Sequence, residues 1–120
     1  MMTHLVLLSP RADLSPAERS ALIAAFRRAV AEIPTVRGFH VGARVLHGAG
    51  YETPAQDGAG YLVAIEFDDL AGLQVYLRHP AHEELGRQFA RSVTTAAVYD
   101  FESSDLDRLA GRPADEGRAR

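Results

Sequence analysis

Four short strand-like runs and two helix-like stretches, in one fixed order, leave this chain very few folds to choose from. HLVLLS (4–9) is apolar and stops at Pro10, as a buried strand does. SPAE (15–18) then opens a helix, with Ser15 as N-cap, Pro16 at the first helical position and Glu18 closing a capping box. Leu22, Ile23, Phe26 and Val30 mark one face of that helix, Arg27 and Arg28 lie off it, and Pro34 ends it. FHVGARVL (39–46) alternates, with Phe39, Val41, Ala43 and Val45 on one side, and reads as a half-exposed strand. YLVAIEF (61–67) is a third strand and TAAVYDFE (95–102) a fourth. Between them Asp69 caps a helix with Leu70, Leu73, Tyr76 and Leu77 expected inward. His79-Pro80 interrupts it, and it resumes with His82, Leu85 and Phe89 on one face.

The order β-α-β-β-α-β is the split βαβ pattern of an α+β, ferredoxin-like domain. The 120 residues suffice for one such domain, expected over 1–102, followed by a polar, flexible tail over 103–120 with one helical turn near Leu106. With both helices on one face, the sheet's other face carries Leu5, Leu7, Ala97, Tyr99 and Phe101. So much apolar surface predicts a homodimer in which a second sheet covers the first. The glycine-rich stretch HGAGYETPAQDGAG (47–60) reads as a mobile loop, with a lid as the alternative.

Composition excludes several classes of function. A net charge of −3 argues against nucleic acid as a partner. No apolar run is long enough for a membrane span, and the start lacks the basic residues of a signal peptide, so a cytoplasmic protein is expected. The absence of cysteine removes disulfide and thiolate chemistry. The His79/His82 pair has no third and fourth ligand at metal-site spacing, and His40 and His47 fall on or near strand two, so no metal is expected.

Alternation places His4, Val6 and Leu8 on the helix-facing side of strand one. Tyr61, Val63 and Ile65 share that side on strand three, and Val98 and Asp100 on strand four. Tyr76, His82 and Phe89 face them from the helix. Five polar groups, His4, Tyr61, Tyr76, His82 and Asp100, thus point at one apolar layer, as in a small-molecule site. His82 can act as base and then acid, Tyr76 can hydrogen-bond a carbonyl gaining negative charge, and Asp100 can orient His4. The alternative is a buried hydrogen-bond network that only fixes the helix on the sheet. His79, directly before Pro80, reads as a helix cap. Arg37 and Arg44 are either solvated or at the mouth of the site.

THLVLL at the start, IPTVRGFHVG, the IEFDDLAGLQVYLRHPAHEEL block and the closing VYDFE together resemble the stress-responsive A/B barrel (Dabb) family. The resemblance spans about residues 3 to 102, and Y-x-x-H-P-x-H is its most specific part. It implies a ferredoxin-like fold that pairs into a dimeric α/β barrel. Its olivetolic acid cyclase-like branch closes linear polyketide chains by an intramolecular aldol condensation without cofactor. In that branch the proton-handling pair falls on Tyr76 and His82, the first-strand histidine on His4 and the last-strand aspartate on Asp100. The branch's strand-three histidine is replaced here by Tyr61. Leu22, Ile23 and Phe26, with Val63, Leu73 and Phe89, would hold the apolar part of a small hydrophobic or aromatic ligand. The other reading the family offers is a non-catalytic, stress-responsive dimer that binds such a ligand.

Overall fold

A computed structural model describes residues 1–52 and 58–111. The elements are β1 (Met2–Pro10), α1 (Pro16–Glu32), β2 (Gly38–Ala43), β3 (Tyr61–Phe67), α2 (Leu70–Arg78), α3 (Pro80–Ser92) and β4 (Val93–Glu102). A short 3-10 turn, Leu106–Ala110, follows. The four strands form one antiparallel sheet in the order β2-β3-β1-β4, with the helices against one face. This is the ferredoxin-like α+β fold.

Burial along β1 alternates strictly: Met2, His4, Val6 and Leu8 are buried beneath the helices, and Leu5 and Leu7 are half-buried on the far side. Val63, Ile65 and Phe67 complete the inner layer from β3. A one-residue slip would turn this set outward, so the pattern specifies the register His4↔Asp100 and His4↔Ile65.

The capping box forms as expected. Ser15 Oγ accepts from the Glu18 amide at 3.1 Å, and the Ser15 amide donates to Glu18 Oε1 at 2.8 Å. That arrangement holds the Glu18 carboxyl below its usual range, the Ser15 backbone amide contributing most. The buried stripe of α1 differs from the expected one. It runs through Leu22, Ala25 and Ala29, whereas Ile23 is half exposed. The small alanines allow α1 to pack against α3, which turns the larger Ile23 to the rim.

Two further expectations are corrected. Leu70 and Leu77 are exposed, because on the nine-residue α2 only the phase through Leu73 and Tyr76 meets the sheet. Strand β2 stops at Ala43 rather than Leu46. It is an edge strand paired only with β3, and Ala43 lies opposite Tyr61, where β3 begins. Val45 and Leu46 therefore remain exposed. The Glu52 carboxylate folds the following turn by accepting from the amides of His47, Gly48 and Ala49. Residues 53–57 of the expected loop or lid lie outside the described residues.

The far face of the sheet is open: Leu62, Tyr99 and Phe101 are exposed there, and no helix among the described residues covers them. In the tail, Leu106 and Leu109 are about four-fifths exposed, at 79% and 83%. Such a turn buries little apolar surface. A chain ending after Ser103, which keeps the Ser103 amide bonded to the Met1 carbonyl, should melt within a few degrees of the full chain. A much larger drop in a thermal melt would show that the tail docks.

Candidate functional site

The His79-Pro80 step divides the second helical stretch. Pro80 at the first position of α3 forces His79 into an extended conformation, with ψ at 142°. There the His79 amide donates to the Tyr76 carbonyl, closing α2, and His79 Nδ1 accepts from the Ala81 amide at 3.0 Å, opening α3. His79→Ala should therefore cost about 0.5–2 kcal/mol in chemical denaturation, and His79→Asn should recover most of it. Equal losses in both variants would mean that the cap bond contributes nothing.

Because the break re-aims the helix, Tyr76 at the end of α2 and His82 in the first turn of α3 meet edge to face, with ring centroids 4.8 Å apart. Tyr76 also packs against His4 at 5.7 Å and Phe67 at 5.2 Å. Across the β1–β4 ladder His4 Nδ1 lies 2.6 Å from Asp100 Oδ1. A carboxylate there requires Nδ1–H as donor, which leaves Nε2 as the acceptor of a neutral imidazole. His4 is 5% exposed and the Asp100 side chain 42%, so this pair links the core to solvent.

These groups border a cavity of about 120 Å³ lined by His4, Tyr76 and His82 with Val6, Phe26, Ile65, Leu85, Gly86, Phe89 and Val98. Desolvation lowers the pKa of His82 below the ordinary 6.5, and the nearby His4 adds to this; the Leu77 backbone and Glu83 oppose it. Burial pushes the Tyr76 hydroxyl well above its ordinary value. At neutral pH the cavity thus holds a neutral imidazole and a protonated phenol. Among the described residues no three His, Asp or Glu side chains gather as a metal-binding group.

A second, larger cavity of about 450 Å³ lies between α1 and the β2–β3 side of the sheet. Leu22, Ile23, Phe26, Tyr61 and Val63 line it, together with Leu8, Phe39 and the margin residues Arg19 and Arg27. Phe26 borders both cavities and packs edge to face on Phe89 at 5.5 Å. The five polar groups expected together are therefore divided. His4, Tyr76 and His82 line the smaller cavity, Asp100 reaches it through His4, and Tyr61 belongs to the larger. Leu73 lines neither; at 2% exposed it is part of the core between α2 and the sheet. Arg37 is paired with Asp68 at 3.1 Å, away from both cavities.

Sequence reasoning passed over Gly86, although it follows His82 by one helical turn and so shares its face. A methyl group at Gly86 would meet no atom within 4 Å. Gly86→Ala should therefore raise stability by about 0.5–1 kcal/mol through helix propensity, while narrowing the cavity. Chemical denaturation measures this, and a loss of stability would show that the position is tighter than its geometry indicates.

No curated protein matches the chain by sequence. Among solved structures, a protein of Arabidopsis thaliana is 24% identical, with 88% of this chain and 98% of that one covered and a TM-score of 0.73. A hydroxynitrile lyase from Passiflora edulis is 18% identical over 88% and 94%, with a TM-score of 0.73. A dimeric ferredoxin-like protein of Bacteroides fragilis is 25% identical over 85% and 95%, with a TM-score of 0.59. The model of the stress responsive A/B barrel domain matches residues 2–103, which include every strand, every α-helix and both cavities. With the whole folded unit matched, the chain belongs to the stress-responsive A/B barrel (Dabb) family.

Proposed function

We propose that this chain is a cofactor-free proton-transfer enzyme that closes a polyketide-like small molecule by an intramolecular aldol step, working as a homodimer. The observation that carries this reading is the convergence of neutral His82, protonated Tyr76 and the His4–Asp100 pair on one cavity. His82 would take a proton from a methylene between two carbonyls. The resulting enolate carbon attacks a carbonyl further along the same chain, forming the C–C bond, and the alkoxide takes the proton back from His82. Tyr76, kept protonated by burial, donates a hydrogen bond to the oxygen that gains charge. Asp100 orients His4, whose proximity disfavours protonation of His82. The hydroxynitrile lyase among the similar folds supports a catalytic use of this scaffold.

The test is turnover of a linear thioester bearing carbonyls at alternate carbons, followed by mass spectrometry and ultraviolet absorbance of the ring product. Cyclisation above the buffer rate that falls in Tyr76→Phe is the expected result. No cyclisation and no exchange of the methylene protons above background would sink the reading.

The size of the two cavities favours a second reading, a dimeric protein that binds a small hydrophobic ligand without transforming it. The cavity beside His82 is well below the ~300–1,000 Å³ usual for small-molecule sites, whereas the apolar one falls within that range. This reading predicts ligand binding unaffected by His82 and no product.

A further inference from the structure

Four of this fold's surface arginines are answered by carboxylates: Arg11 by Glu18, Arg28 by Glu32, Arg37 by Asp68 and Arg87 by Glu84. Arg19 and Arg27 differ. Both line the larger cavity, and neither guanidinium has an ion-pair or hydrogen-bond partner among the described residues. They stand eight residues apart on α1 with Ile23 midway, so the three side chains form one stripe along the rim, about 12 Å long. Below that stripe the walls are Leu22, Phe26, Phe39 and Val63, and among the described residues no acidic side chain lines the cavity.

We propose that the larger cavity binds a small anionic amphiphile, its apolar body between α1 and the sheet and its acidic head group on Arg19 and Arg27. The apolar walls select the body by removing it from water. A guanidinium presents a planar fork that matches a carboxylate, and an unpaired one has no internal ion pair to give up on binding. The head remains at the solvent-facing rim, so neither charge has to be buried. The chain's overall charge of −3 opposes general attraction of anions, so selectivity for an acidic head has to come from this local pair. The proposal concerns the ligand alone and stands whether or not proton transfer takes place in the neighbouring cavity.

The experiment titrates the full chain with decanoate and with decan-1-ol, following the Leu22 and Ile23 methyl resonances. At low ionic strength decanoate should bind roughly tenfold more tightly than the alcohol, as expected of two partly exposed ion pairs. The advantage should vanish in Arg19→Gln/Arg27→Gln, with decanol affinity unchanged, and should shrink as salt is raised. Arg78→Gln, an exposed arginine on α2 outside the cavity, should keep it. Equal affinity for acid and alcohol, an advantage that survives the double substitution, or no binding of either probe would overturn the proposal. His82→Ala should bind decanoate as the parent does, which separates this test from that of the proton-transfer reading.

Discussion

His82→Ala should lower turnover by about 10²–10⁴-fold while the fold survives, the usual loss when one positioned base is removed. His82 is only partly buried, and its ring packs on Tyr76 rather than in the densest core, where Phe67, Ile65 and Tyr76 sit. Truncating it enlarges an existing cavity more than it opens a new one. The lowered pKa adds a pH signature. His82 loses its proton below 6.5, so the acid limb of the rate profile should have its midpoint below the free-histidine value. The same shift bears on stability. Between the folded and unfolded pKa values the unfolded chain binds the additional proton, so stability rises with pH there. The His82 contribution is therefore fully present above about 6.5 and is lost as pH falls through the lower, folded value. His82→Ala should flatten that part of the stability profile. If instead the variant unfolds at neutral pH, or cyclises the substrate at the parent rate, His82 acts only through packing.

Much of this arrangement can be read from local rules, because those rules act over a few residues. Ser15, Pro16 and Glu18 specify a helix start whatever surrounds them, and His79 before Pro80 specifies a break. Alternation on β1 likewise places His4 beneath the helices, and strand pairing sets it opposite Asp100. Sidedness is not the same as position, however. Tyr61 shares a face with His4, but it pairs with Leu8, four residues further along β1, or about 13 Å away. That offset is why one expected site becomes two cavities with Phe26 between them. Leu73 shows the same limit on a helix, where inward phase can end in solid core as easily as at a cavity wall. Sequence reasoning set Arg27 off the apolar face and passed over Arg19; only the structure shows an apolar chamber beneath the two and, among the described residues, no carboxylate paired with them.

The other large effect concerns the uncovered face of the sheet. At micromolar concentration the chain should sediment as a dimer, twice its 13.0 kDa mass, and Tyr99→Asp should convert it to a folded monomer. Tyr99 and Phe101 lie on the far side of the edge strand β4, both about half exposed, with ring centroids 6.2 Å apart. With Leu5, Leu7 and Leu62 they form an apolar surface that the α-helices among the described residues, packed on the opposite face, do not cover. Several similar structures are of dimeric ferredoxin-like proteins. Fully burying each such side chain contributes about 1.5–3 kcal/mol, and aromatic residues near the centre of an interface carry a disproportionate share. An aspartate in their midst would have to leave water without a partner, a cost larger than the contact it replaces. Tyr99 suits the test because its side chain is exposed in the single chain, so the protomer loses little by the change, whereas Leu5 is already half-buried within the sheet. Leu106→Asp serves as the control: Leu106 is more exposed still, but it lies in the 3-10 turn beyond the sheet, and this change should leave the dimer intact. A parent chain that sediments as a monomer, or a Tyr99→Asp variant that remains dimeric, would mean that this face is covered in some other way.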